Sequence, residues 1–459
     1  MKYDNNAALA VSSILTNRFD QQKKCYVRTY GCQQNVSESE KISGMLLECG
    51  YVFCDDVEEA DLIIFNTCAV RENAENRAFS NISNLKKLKQ ENPDLILVLA
   101  GCMVQQKSAA RLIGEKYRFV DIAIGTAAIN RLPQILLDFL TNKRQIVDIE
   151  QDNLIYENAP KKRQNSLKTY IPIMQGCDNF CTYCIVPHVK GREVSRESGE
   201  ILSEVRDLVE SGAKEITLLG QNVNSYGKNL EESVSFAQLL SKINDIDGDF
   251  LVRFMTSHPK DLSDELLEIM ARCEKLAKHI HLPFQSGSDE ILLKMNRGYT
   301  RQKYLEIVEK ARKLMPDIQF TSDVIVGFPN ETHEDFAQTL NLVKNIKFQS
   351  LYTFLYSKRE GTKAAKIVDL TPEDDKKTWF KELLEMQDKI SEEVLRSKIG
   401  KTFTALVEQK AKTNGHLTAR TGENFVIDVK GEENLVGEFK KVTIIGATNK
   451  ILKGEIVDE

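Results

Sequence analysis

From Cys25 to about residue 355 the chain repeats one pattern: a short, continuously apolar run, a loop, then a helix-patterned stretch. Runs that are apolar at every position, rather than at every second one, suit strands buried on both faces. That is the parallel sheet of an α/β protein, with helices packed above and below. In such sheets ligands gather beyond the carboxyl ends of the strands. The residues that follow each strand are therefore the first place to look for chemistry.

Three early strands run out into cysteine. The β-prone run Cys25-Tyr26-Val27-Arg28-Thr29-Tyr30 ends at Gly31-Cys32, Leu62-Ile63-Ile64-Phe65 at Asn66-Thr67-Cys68, and Leu95-Ile96-Leu97-Val98-Leu99-Ala100 at Gly101-Cys102. Helix-like segments, Ser37 to Cys49 and Ala74 to Gln90, separate them. Three thiols scattered in sequence then converge on one rim as a three-thiolate site. The alternative is inert packing, since free cysteine is among the most buried residue types. The shared position past a strand end favours ligation. Cys25, Cys49, Cys54 and Cys273 lack it and read as core residues.

A second trio lies close together in Gly176-Cys177-Asp178-Asn179-Phe180-Cys181-Thr182-Tyr183-Cys184, a C-x3-C-x2-C pattern. Three thiolates from so few residues suit a cubane iron–sulfur cluster. They leave one iron without a protein ligand, and an open position marks a reactive rather than a structural metal site. Zinc completed by a distant residue such as His188 is the competing reading. Structural zinc sites pair their ligands in two knuckles, however, and the chain has no second one.

Length and composition bound the rest. The 459 residues call for two to three domains, and the composition is that of a globular protein. A net charge of -5 advertises no global basic field, so contact with nucleic acid has to come from local patches. Ten cysteines are too sparse for a disulfide scaffold in a chain this long, which favours a reducing compartment and metal or redox roles. No stretch reaches the length of a membrane span, and the run Ala7 to Leu15 is too short and too polar for a signal peptide. A cytoplasmic protein is expected, with residues 1–22 as a dispensable extension.

The C-x3-C-x2-C loop, with Tyr183 just before its last cysteine, resembles the signature of the radical S-adenosylmethionine (SAM) superfamily. The resemblance implies that Cys177, Cys181 and Cys184 hold a 4Fe–4S cluster whose open iron chelates SAM and delivers the electron that cleaves it. The segments Thr29 to Asn35, Asn66 to Ala74 and Ala100 to Met103 resemble the amino-terminal domain of the methylthiotransferases. There Cys32, Cys68 and Cys102 would hold an auxiliary 4Fe–4S cluster that supplies or carries sulfur. Residues 23–140 are that domain on this reading, and residues 141–169 a linker. The linker cations Lys161, Lys162, Arg163 and Lys168 read either as a solvated stretch or as a phosphate contact.

From Tyr170 strand–helix alternation resumes, with strands expected at 170–174, 215–219, 251–255, 279–282, 320–326 and 350–355, and helices notably at 197–211, 260–274, 300–314 and 331–344. Repeated βα units allow an open sheet or a barrel; the resemblance implies a partial (β/α)6 barrel over 170–395, with its active site at the carboxyl ends of the strands. The loop Gly220 to Gly227 sits where the superfamily binds the amino group of SAM, which points to Gln221 and Asn222, and Ser286 is placed to reach the ribose. All three could instead be satisfied turn residues. His258, His279 and His281 read as hydrogen-bonded core or pocket groups, because radical generation needs no imidazole base. Lys190, Arg192 and Arg196 either meet an anionic substrate or are solvated.

A helix over about 375–396 ends near Gly400, and short β runs at 403–407, 425–429, 442–445 and 454–457 then read as a small barrel. In position and pattern, residues 396–459 resemble the TRAM domain, an oligonucleotide-binding-like barrel of RNA-modifying enzymes. The chain is thereby identified with the tRNA-2-methylthio-N6-dimethylallyladenosine synthase family. That implies methylthiolation of carbon 2 of N6-isopentenyladenosine beside the tRNA anticodon, with two 4Fe–4S clusters, two SAM molecules, the anticodon stem-loop of tRNA as partner, no membrane and a monomer. The neighbouring readings are a methylthiotransferase for threonylcarbamoyl-adenosine tRNA, one for a ribosomal protein aspartate, and a non-enzymatic iron–sulfur RNA-binding protein. The strings Val70 to Arg77 and Gly220 to Gly227 look like the tRNA branch rather than the ribosomal-protein one.

Overall fold

A computed structural model describes residues 3, 5–69, 72–150 and 158–457. Residues 70 and 71 of the Val70 to Arg77 string, and 151–157 of the expected linker, lie outside the described residues. The chain divides into two compact units. The first is Met1–Gln164 with Met174–Asp178 and Cys184–Arg196, and the second is Asn165–Ile173, Asn179–Tyr183 and Glu197–Glu459.

The first unit is built on six parallel strands: β1 (Lys24–Tyr30), β2 (Val52–Phe53), β3 (Leu62–Thr67), β4 (Ile96–Gly101), β5 (Ile122–Ile124) and β6 (Ile146–Asp148), in the order β2-β1-β3-β4-β5-β6. Every residue of β3 and β4 is buried, because both faces are covered. Leu62, Ile64 and Val98 point to a layer formed by α1 (Asn6–Arg18), α2 (Gln33–Glu48) and α5 (Leu132–Asn142). Ile63, Phe65, Leu97 and Leu99 point to α3 (Glu72–Glu91) and α4 (Lys107–Lys116). The period-2 alternation of a strand thus serves two apolar layers instead of one.

Two features depart from expectation. Residues 1–22 are no loose extension: α1 buries Ala8, Val11 and Leu15 in the same cluster as Leu136 and Phe139 of α5. Strands β5 and β6, only three residues each, escaped the reading because so short a run carries no periodic signal.

In the second unit, six parallel strands follow one another in chain order as two three-stranded sheets. These are β7 (Lys168–Pro172), β10 (Glu215–Leu219) and β11 (Leu251–Phe254), then β12 (His279–His281), β13 (Gln319–Val326) and β14 (Ser350–Leu355). A parallel bridge, Val252 to Leu276, joins β11 to the approach to β12. This is the partial (β/α)6 barrel. Its helices start where side chains cap them: Thr300 accepts from the Lys303 amide, and Thr332 forms a reciprocal capping box with Asp335. The short antiparallel pair β8 (Met174–Gln175) and β9 (Val194–Ser195) belongs to the first unit.

After the helix Glu373–Arg396 come β15 (Thr402–Lys410), β16 (His416–Thr421), β17 (Val426–Lys430), β18 (Phe439–Ala447) and β19 (Leu452–Ile456), closed as a barrel in the order β15-β16-β17-β19-β18. Strand β16 carries no apolar run in the sequence, since of His416-Leu417-Thr418-Ala419-Arg420-Thr421 the apolar residues in the barrel core are Leu417 and Ala419. Arg253 on β11 fastens the barrel within this unit. Its guanidinium donates to Glu215 at 2.7 Å and to the carbonyls of Thr421 and Gly422 at 2.7 and 3.1 Å. Among the described residues no helix is long and apolar enough to cross a membrane.

Candidate metal centres and cofactor loops

Sheet register brings the first three cysteines together. Tyr30 pairs with Thr67 and Thr67 with Gly101 across β1, β3 and β4, so the chain leaves three neighbouring strands at one level and continues into Cys32, Cys68 and Cys102. A Cβ on Gly31 would lie 2.8 Å from Cys68 Cβ, so only glycine allows this approach. Asn66 Nδ2 donates to Asn35 O at 2.9 Å and to Ser39 Oγ at 3.0 Å, and Asn35 Nδ2 to Thr67 O at 3.2 Å. These amides lock the start of α2 to the end of β3.

The environments of the three thiols differ. The Cys68 thiol hydrogen-bonds to Cys32 and, against the opposing effect of burial and with help from the Asn35 amide, lowers the Cys32 pKa to about 6. Cys102 is deeply buried, which pushes its pKa up to about 12 despite the nearby Lys190. Lys190 ends the short helix α6 (Val186–Lys190), which follows the second trio but belongs to the first unit. Its ammonium pairs with the Glu38 carboxylate, with both side chains largely buried. Burial opposes its charge, but Cys102, Glu38 and Cys32 outweigh this and raise its pKa. Lys190 is therefore neither solvated nor turned outward.

In the loop of the second trio, Cys177 and Cys184 belong to the first unit and Cys181 to the second. Gly176 has φ +78°, and a Cβ there would sit 1.9 Å from the Arg192 carbonyl, so the turn into Cys177 requires glycine. The Cys177 amide donates to Gly191 O at 3.2 Å, and exposed Arg192 pairs with Asp178 at 3.0 Å. Around Cys181 the clamp comes from residues 294–297. The Thr182 amide donates to Met295 O at 3.0 Å, its hydroxyl to Lys294 O at 2.8 Å, and Asn296 Nδ2 to the carbonyls of Asn179 and Phe180 at 3.2 Å. Buried Arg297 donates to Cys181 Sγ at 3.4 Å and to Pro283 O at 2.7 Å.

Among the described residues no three His, Cys, Asp or Glu side chains gather round one point as ligands of a single ion would. A cubane asks for a different arrangement, in which each thiolate takes its own iron. Thiols at three strand ends, and thiols spread along a loop, both fit that demand.

The loops beyond the barrel strands hold buried polar atoms without a partner among the described residues: Gln221 Oε1, Asn222 Oδ1, both amide atoms of Asn224, Ser257 Oγ, His258 Nε2 and Gln285 Oε1. Native proteins rarely leave so many unpaired, and a bound polar cofactor accounts for such a set. Asn222 is held by its other end, Nδ2 donating to Asp261 at 2.8 Å. His258 accepts from the Lys260 amide at Nδ1, which leaves the proton on Nε2. Burial first, then Arg297, Lys260 and Lys228, hold its pKa down at about 2, so the ring is a neutral donor. Ser286 is placed otherwise: its hydroxyl accepts from the Ser288 amide at 3.2 Å and lies 3.5 Å from Thr339 Oγ1, tying the loop to its own scaffold. Its neighbour Gln285, at φ +67°, carries the unpaired oxygen instead. His279 and His281 both meet Thr321 Oγ1 at 3.0 Å, as structural groups.

The linker cations find partners within the protein. Arg163 pairs with Glu40 at 3.0 Å, Lys162 lies 3.6 Å over the Phe53 ring, and Lys168 pairs with Glu408 at 2.9 Å. Arg163 and Lys168 are thus tied by ion pairs, while Lys162 stays exposed against its ring.

Comparison with known proteins bears on all of this. Residues 171–343 match the radical SAM superfamily, 24–125 the uncharacterized protein family UPF0004, and 396–457 the TRAM domain. The chain is 48% identical over 435 residues to the tRNA-2-methylthio-N(6)-dimethylallyladenosine synthase of Thermoanaerobacter sp. (strain X514), covering 94% of this chain and 92% of that one. It is 49% identical over 432 residues to the protein of that name from Clostridium botulinum (strain Langeland / NCTC 10281 / Type F), covering 94% and 96%. The chain belongs to this synthase family. The radical SAM methyltransferase TsrM from Kitasatospora setae, solved with cobalamin and a [4Fe-4S] cluster, shares the fold with a TM-score of 0.56 at 13% identity, over 75% of this chain and 77% of that one. Membership makes the chain a radical SAM methylthiotransferase that uses SAM and an iron–sulfur cluster. The sequence singles out neither Gln285 nor Arg297, and it offers Lys190 only as a group that meets an anionic substrate or is solvated. Gln285 lies in the loop after β12, Arg297 beyond the short helix that follows that loop and Lys190 at the end of α6; each is polar with a buried side chain, and only burial separates it from a solvated neighbour.

Proposed function

We propose that the chain replaces the hydrogen on carbon 2 of N6-isopentenyladenosine, beside the tRNA anticodon, with a methylthio group, acting as a monomer and consuming two SAM molecules. Cys177, Cys181 and Cys184 hold the cluster that cleaves SAM, and Cys32, Cys68 and Cys102 hold a second. Bound there, the clusters supply the electron for reductive cleavage and a seat for the transferred sulfur. Gln221, Asn222 and Gln285 orient the polar groups of SAM, and His258 donates from Nε2. Arg297 fixes Cys181 and keeps water from its sulfur. A carbon-bound aromatic hydrogen has no acidity for a side-chain base to use, which is why this chemistry asks for a radical.

The observation that carries the reading is the register of β1, β3 and β4, which delivers three cysteines to one rim. The anaerobically reconstituted chain is expected to bind about eight irons and to form 5′-deoxyadenosine. Cys181→Ala is expected to abolish that cleavage, while Cys68→Ala keeps it and loses methylthio transfer. Normal product from Cys68→Ala would remove the second cluster from the account. Mass spectrometry of tRNA nucleosides from a deletion strain tests the substrate, and an unchanged methylthio-isopentenyladenosine peak would refute it.

A further inference from the structure

A buried ammonium in the field of the Cys102 and Cys32 thiols needs a reason, because lifting a charge out of water is unfavourable unless something nearby compensates it. Lys190 is not a surface side chain that happens to fold inward. Ile185 and Val189, which precede it in the chain, are buried against Ala69 and Cys102, and the Thr126 hydroxyl donates to Val189 O at 2.7 Å. The backbone is thus pinned where the ammonium meets Glu38, with the sulfurs of Cys102 and Cys32 in its field. The Glu38 carboxylate answers only part of the charge pattern. Three thiolates round an oxidised cubane core leave net negative charge, and reduction adds one electron more.

We propose that Lys190 is a positioning residue of the Cys32/Cys68/Cys102 centre: its ammonium holds the ligand sulfurs by charge and hydrogen bonding, making that cluster easier to reduce, while Glu38 fixes the ammonium and moderates its effect. The proposal rests on the reading that these cysteines hold a cluster. Potentials of iron–sulfur centres follow net charge and hydrogen bonds to sulfur, so the two members of the ion pair act in opposite directions.

The test uses the full chain with Cys177, Cys181 and Cys184 replaced by alanine, so that one cluster remains to be read by redox titration with electron paramagnetic resonance detection. With Lys190→Met, the ratio of reduced to oxidised cluster at fixed applied potential is expected to fall about tenfold, about 59 mV for one electron. Lys190→Arg is expected to stay within about threefold of the parent, and Glu38→Gln to shift the other way. A fully loaded Lys190→Met chain with the parental midpoint overturns the proposal. Should Lys190→Met fold without its iron, Glu38→Gln carries the test, an unchanged midpoint there overturning it. A parent chain that binds no iron overturns the cluster reading itself and is told apart by iron content before any titration.

Discussion

Glu331 shows how one side chain can tie stability to pH. It is buried at the turn before the helix His333–Ile346, where its carboxylate accepts from the Gly327 amide at 2.5 Å. Burial outweighs the amide bonds and lifts its pKa to about 7. An unfolded glutamate titrates near 4.3, so the folded chain holds the extra proton between those values. The stability this proton brings is complete below about pH 4 and is lost as pH rises through about 7. Glu331→Gln, which can still accept from Gly327, is expected to stabilise the chain at pH 8.5 by on the order of 2–3 kcal/mol relative to its effect at pH 4. Denaturant midpoints at the two pH values check it, and equal effects would remove the residue from the account. Residues with a spacing were legible from sequence at this scale; residues with only an environment were not. The cysteine pattern announces itself, whereas Gln285 differs from Ser286 only in which way its side chain turns once the loop is folded.

Among elements, the strands that were legible are those whose apolar runs are long enough to carry a signal, such as β3 and β13. Those that were not are short, like β5, or carry polar residues on an outer face, like β16. Helix α1 is a third case: the segment reads as an apolar-leaning terminus, and only the neighbouring α5 gives its buried side chains somewhere to go. Deleting residues 1–19 is expected to remove about 3–6 kcal/mol through the loss of buried Val11 and Leu15. Calorimetry would show the melting transition of the first unit moving down, and a transition left in place would mean α1 contributes nothing to that core.

For the molecule as a whole, the three-domain order was legible in the sequence because each segment carries its own periodicity; the joints were not, because they depend on single buried contacts. Arg253 is such a joint in the second unit, bonded to Glu215 and to two carbonyls of the carboxy-terminal barrel. Arg253→Ala strands a buried carboxylate, and a loss of about 3–5 kcal/mol is expected. Limited proteolysis is expected to release the barrel near residues 397–401; cleavage no faster than in the parent would show that the joint lies elsewhere.

The first unit is not finished by the first stretch of chain. Its sheet is complete by Asp148, yet Ile185, Val189 and Lys190, which cover Cys102, follow the first strand of the next unit. On the ribosome, where domains form from the amino end as they emerge, Cys102 must wait for the residues that pack on it while some forty further residues are made. The protein therefore builds the rim early and closes it late, because the side chains that pack on Cys102 come from beyond the next unit's first strand.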